Sequence, residues 1–142
     1  MIVPFQKILV AIDGSPGGQK ALETAIELAK LTGASLHGLT VEGRLPAYAA
    51  TVGEVDEVKR EKDQFFGKIA RLARDQAREK GIELEVEVLP GHAAELIVRH
   101  AKKGNFDLVV VGHKGHFLKD YLLGSTADRV AHHAVCPVMI VK

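Results

Sequence analysis

Gly112, Gly115 and the run Gly124-Ser125-Thr126 are the residues of this chain whose types and spacing could do chemistry. The apolar stretch from Leu108 breaks at Gly112. A short loop follows with Gly115 among His113, Lys114, His116 and Lys119, and Gly124-Ser125-Thr126 then leads into the amphipathic segment Ala127 to Ala134. That is the pattern of a buried strand feeding a glycine loop and a helix start. Glycine lets backbone amides approach an anion closely, and the free amides and positive dipole end of a helix attract negative charge. The pattern suits a nucleotide or another phosphorylated ligand.

Each of these residues also has a purely structural reading. Asp13 is followed by Gly14-Ser15-Pro16, where Ser15 is placed to cap a helix whose first position is Pro16. Its carboxylate either helps to start that helix or accepts hydrogen bonds from a base or ribose; a phosphoryl-accepting role lacks the second aspartate of a DxD signature. Ser125, with Asp128 three positions on, matches an N-cap, and a capped helix start still presents amides and hydroxyls to a phosphate. His113, Lys114, His116 and Lys119 alone read as a solvated loop, and beside an anion site as phosphate contacts. The seven histidines show no metal-ligand spacing, since His113 and His116 share a loop and His132 and His133 are adjacent on a helix. GxxxxGK[ST], GxSxG and HExxH do not occur, nor does GxGxxG after the first strand. Without a positioned base or nucleophile pair, no catalytic or metal-binding residue is assigned.

These residues need elements to position them. Lys7 to Ile12, Ser35 to Val41, Glu83 to Leu89, Asp107 to Val111 and Pro137 to Val141 are short runs rich in Val, Ile and Leu, which predicts five strands. Gly17 to Leu31, Glu54 to Lys80, Ala93 to Lys102 and Ala127 to Ala134 carry apolar residues at helical spacing, which predicts four helices. In the second helix the expected buried stripe is Val58, Phe65, Ile69, Leu72 and Ala73. Strict alternation implies right-handed crossovers and a parallel sheet covered on both faces, with ligands beyond the carboxyl ends of its strands. Asp13, Val41 and Gly112 are expected at strand ends on that edge, with Glu42 to Gly53 as a neighbouring loop. The final strand, if it lies at a sheet edge, needs cover, and a homodimer through it would supply that.

Composition sets the outer bounds. A chain of 142 residues is expected to form one domain with a core of its own. With 19 basic and 18 acidic residues the net charge is +1, so nucleic acid is not a favoured partner. The lone Cys136 fits a reducing compartment, and no apolar run approaches the roughly 18 residues of a membrane span, so a cytoplasmic protein is expected.

Three segments together resemble the universal stress protein family: KILVAIDGSPGGQKAL near the start, DLVVVGHKGH in the middle and GSTADRVAHHAVCPVMIVK at the end. The resemblance implies a single-domain, open five-stranded parallel sheet with four helices in three α/β/α layers, of the adenine nucleotide alpha hydrolase-like type. It also implies dimerisation through the last strand. ATP-binding members carry G-x2-G-x9-G-[ST]; here Gly112, Gly115 and Gly124-Ser125 match, but eight residues, His116 to Leu123, stand where nine are usual. Carried over residue by residue, Asp13 would contact ribose or adenine, the Val41 backbone would read adenine, and Gly112, Gly115, Gly124, Ser125 and Thr126 would hold phosphates, with His113 and His116 beside them. The missing residue bears on the triphosphate grip more than on the adenosine site, and Phe117 could partly fill the phosphate pocket. The implied function is a stress-response protein in which an adenine nucleotide, ATP with magnesium, sets interactions with a protein partner. The alternatives are a nucleotide-independent interaction dimer and a slow ATPase.

Overall fold

The segments of alternating period become β1 (Lys7–Ala11), α1 (Pro16–Thr32), β2 (Ser35–Glu42), α2 (Val52–Glu79), β3 (Leu84–Pro90), α3 (Ala93–Lys103), β4 (Leu108–Gly112), α4 (Ser125–His133) and β5 (Val138–Val141). The structure is a computed structural model and describes residues 5–42, 52–113 and 123–142. All nine expected elements are present, with ends shifted by at most two residues.

The strands form one parallel sheet in the order β3-β2-β1-β4-β5. The chain builds outward from β1 to β3 and then returns to the other side of β1 for β4. The reversal leaves a crevice between the carboxyl ends of β1 and β4. Period-two alternation assigns the two faces: Ile8, Val10 and Ile12 pack under α1 and α2, while Leu9, Val109 and Val111 pack under α3 and α4. Ile8, Leu9 and Val10 are fully buried, as the near-continuous apolar sequence of a central parallel strand requires. β5 lies at an edge, bonded only to β4, and all four of its residues are half-buried. Cys136, just before it, is half-buried against the α3/α4 core, and burial, followed by the Asp107 charge, pushes its thiol above the ordinary range. Packing is the role this supports.

Local chemistry sets the helix ends. Ser15 is the N-cap of α1 with Pro16 in the first turn, as its sequence predicts, and Gly33 closes the helix in the left-handed conformation with its N–H on Ala29 O at 2.9 Å.

The expected stripe on α2 is only partly right. Ala70, Ala73 and Ala77 are buried and Ile69 is half-buried, whereas Phe65 and Leu72 are exposed at 57% and 56%. Helix geometry explains the difference: Phe65 and Leu72, two turns apart, share a side of the helix turned away from the one that buries Ala70, Ala73 and Ala77; the helix also outruns the sheet, its 28 residues extending about 42 Å against about 26 Å for the eight residues of β2. Asp63 hydrogen-bonds Glu42 at the end of β2, so the turns before it project past the carboxyl edge of the sheet. The apolar stripe of the sequence is wider than the face that the sheet covers.

Candidate functional site

The crevice between β1 and β4 is walled on one side by the turn into α1. Beyond Ala11, Ile12 still bonds Leu39 O through its N–H at 3.0 Å, and Asp13 follows at the cleft. Asp13 Oδ1 accepts from the Ser15 N–H at 2.9 Å and from the Ser15 hydroxyl at 2.5 Å, while Ser15 Oγ accepts from the Gly18 N–H at 3.0 Å. Ser15 is buried; the Asp13 residue is exposed, and its Oδ2 accepts no hydrogen bond among the described residues. A Cβ on Gly18 would lie 2.5 Å from Asp13 Oδ1, so the closeness of this turn requires glycine there. The carboxylate is thus held in place by the helix start and still faces water.

The opposite wall is the start of α4. His113 N–H donates to Val141 O at 2.7 Å and its carbonyl accepts from Gly124 N–H at 2.8 Å, which brings the chain on either side of residues 114–122 together. The N-cap of α4 is Gly124, not Ser125, and no side chain caps the helix. Ser125 is the first helical residue, exposed and lining the cleft with Thr126. The expectation of a serine cap fails because the helix begins one residue earlier than a Ser-x-x-Asp cap would place it. The chemical result matters more: the first amides of α4 have no side-chain acceptor, and with the helix dipole they form a ready anion site.

Between these walls lies a cleft of about 280 Å³, just under the ~300 to 1,000 Å³ usual for small-molecule sites. Its sides are mainly apolar: Leu39, Val41, Ala93, Ile97 and Val111. Among its described lining residues Asp13 is the only titratable side chain. Such a cavity offers a dry surface to a flat ring, a carboxylate acceptor at one end and open amides at the other. Just outside it, the Glu42 carboxyl is held above the usual carboxylate range, first by loss of water and then by the charge and hydrogen bond of Asp63, with Lys62 and Lys59 opposing.

The structure therefore brings Asp13, Val41, Gly112, Gly124, Ser125 and Thr126 to one cleft. Val41 is the penultimate residue of β2, not its last, and Asp13 lies two residues past β1. Gly112 has a reason beyond ligand approach: a Cβ there would stand 2.7 Å from the Gly17 carbonyl, so α1 can pack against β4 only because the side chain is absent. His113 is half-buried, does not line the cleft, and spends both backbone groups on β5 and Gly124. Gly115, His116, Lys114, Phe117 and Lys119 lie outside the described residues, as does 43–51 of the expected loop, whose outer residues Glu42 and Gly53 belong to β2 and α2. Ala93 and Ile97 were missed as lining residues. They stand four apart at the start of a helix that must begin at the carboxyl edge, and that spacing was the available signal.

Residues 4–142 match the model of the universal stress protein family. The chain belongs to this family. It is 36% identical to universal stress protein YxiE of Bacillus subtilis over 97% of the chain and 99% of that protein. Universal stress protein A homolog 1 of Coxiella burnetii is 34% identical over 96% of each chain. Among solved structures, universal stress protein UspA from Lactobacillus plantarum superposes with a TM-score of 0.86 at 24% identity, covering 99% of this chain and 100% of that one. A universal stress protein in complex with cAMP gives 0.75 at 27% identity, with 97% of both chains covered. The five-stranded parallel α/β fold with four helices is thus the fold of the family. No described helix is long and apolar enough to cross a membrane.

Proposed function

We propose that the cleft binds an adenine nucleotide and that its occupancy regulates interactions with a protein partner in the stress response. The observation that carries this reading is the uncapped start of α4, facing Asp13 across an apolar cleft. A base fits between Leu39, Val41, Ala93 and Ile97, where backbone groups at Val41 can read its edge. A ribose reaches Asp13, and the phosphate lies on the amides of Ser125 and Thr126 with Gly112 and Gly124 giving backbone access. The similar protein in complex with cAMP supports an adenine nucleotide as the ligand. ATP with magnesium is the nucleotide that the Gly112, Gly115, Gly124-Ser125 pattern favours, and His116 is the proposed loop contact. The proposed setting is a cytoplasmic homodimer joined through β5, whose half-buried edge supports pairing with a second copy. Binding, not turnover, is the proposed role, because among the described lining residues a single carboxylate, already engaged by Ser15, gives a water no second titratable group to activate it.

Calorimetric titration of nucleotide-stripped protein tests this, using ATP with magnesium, AMP, cAMP and GTP on the wild type and on Ser125→Asp. The expected result is saturable binding of adenine nucleotides, weaker GTP binding, and loss of affinity by at least about tenfold in the variant, because a carboxylate then occupies the anion site. An unchanged affinity in Ser125→Asp would remove α4 from the site. No heat from any nucleotide at millimolar concentration would favour a nucleotide-independent interaction dimer, the reading supported by the one-residue-shorter glycine motif.

A further inference from the structure

A second concavity, about 650 Å³, lies between α3 and α4 and is lined by Ala94, Val98, Arg99, Lys102, Arg129 and His133, with Glu95 beside Arg99. Ala94, Val98 and Lys102 follow at intervals of four along α3, and Arg129 and His133 stand one turn apart on α4. The floor is apolar: Ala94 and Val98 are half-buried and rest on the core beneath.

The rim is cationic in an unbalanced way. Arg99 is neutralised by Glu95 at 2.7 Å. Lys102, Arg129 and His133 are exposed, and none has an ion pair among the described residues. The neighbouring His132, by contrast, pairs with Asp128 at 3.5 Å. With a net charge of only +1 on the whole chain, this concentration is local. Lys102 and His133 occupy the last turns of their helices, where cations offset the dipole. Arg129 lies in mid-helix and has no such explanation.

We propose that this groove docks an acidic amphipathic segment of a partner protein. An apolar side chain of the segment seats on Ala94 and Val98, and flanking carboxylates meet Lys102 and Arg129, the latter able to bind bidentately. His133 adds to the attraction when protonated. Charge complementarity selects the occupant: an apolar floor with the unpaired cations Lys102 and Arg129 on its rim suits a short segment carrying a few carboxylates, whereas a nucleic acid needs a long basic track and no apolar seat. The proposal names a partner surface and does not depend on nucleotide binding in the cleft.

The test uses the full chain, isotope-labelled for NMR, and a short synthetic peptide with a central leucine flanked by glutamates and aspartates. Saturable shifts confined to α3 and α4 are expected. The double variant Lys102→Glu, Arg129→Glu is expected to lower affinity at least about tenfold, and a peptide with lysines replacing its acids is expected to bind that variant in preference to the wild type. Substituting serine for the peptide leucine should also weaken binding. An unaltered melting temperature and ATP titration in the double variant would separate this surface from fold and cleft. No saturation at millimolar peptide, affinity indifferent to charge reversal, shifts centred elsewhere, or tighter binding to single-stranded DNA or phosphatidylserine vesicles than to the peptide would each overturn the proposal.

Discussion

The amino and carboxyl edges of the same sheet treat their polar groups in opposite ways. At the amino edge, Asp107 accepts from the backbone N–H groups of Gln6 at 2.7 Å and Lys7 at 3.1 Å, and Lys7 Nζ donates to the Gly104 carbonyl at 2.6 Å. Lys7 also lies 4.6 Å from the centre of the Phe106 ring, against which His37 packs edge-on and His100 stacks. These groups already have their partners. At the carboxyl edge, the first amides of α4 are uncapped and Asp13 remains open to water. One edge consumes its polar potential on stability and the other retains it for a ligand, so the two should respond differently to mutation.

The most disruptive change crosses that division. Gly112→Val is expected to cost about 3 kcal/mol, because its side chain would drive into the Gly17 carbonyl 2.7 Å from the Cβ position; denaturant unfolding measures the loss, with nucleotide affinity falling alongside it. Asp107→Ala should act on stability alone, by about 2 kcal/mol, since two backbone donors lose a charged acceptor. If it also abolished nucleotide binding, the edges would not be separable. A sharper contrast comes from two serines on one edge. Ser15→Ala removes a working cap and is expected to cost about 1 kcal/mol, whereas Ser125→Ala, at a position that caps nothing, should stay within about 0.5 kcal/mol; equal losses would contradict the assignment of Gly124 as the cap.

The smallest effect is one of pH. Burial, the largest influence, lowers the pKa of His37 below its ordinary 6.5, with the Glu85 charge opposing and Lys7 reinforcing. The unfolded chain therefore binds this proton more readily than the fold does. The contribution of a neutral His37 is fully present above about pH 6.5 and declines as pH falls through the folded value. Thermal unfolding followed from pH 8 to 5 should show a shallower acid-side decline in His37→Gln than in the wild type. A decline of unchanged slope would assign the titration to other groups.

The elements and most of the cleft were legible because each depended on local pattern. Five apolar runs and four helix-period segments led to the sheet, and glycine spacing led to Gly112 and Gly124. Asp13 and Ser15 could be placed from the Ser-Pro helix start alone. What could not be read depended on distance across the fold. Nothing near Gly112 in sequence announces Gly17 as its neighbour, and Phe65 has the period of a core residue although it stands on a side of α2 turned away from the buried alanines. The cap of α4 was misassigned for a related reason: Ser-x-x-Asp fits Ser125, but the hydrogen bond from Gly124 N–H to His113 O fixes the chain one residue earlier.

The reach of α2 past its sheet has a consequence for exchange with solvent. A helix is held against opening mainly by the tertiary packing of one face, and among the described residues of α2 the buried ones are Ala70, Ala73 and Ala77. Its amides should therefore not open as one unit. Those from about residue 70 onward should exchange only with global unfolding, and those before Asp63 through local fraying at far lower free energy. A single unbroken helix would then carry a gradient of protection along its length, lowest at the end that extends past the sheet.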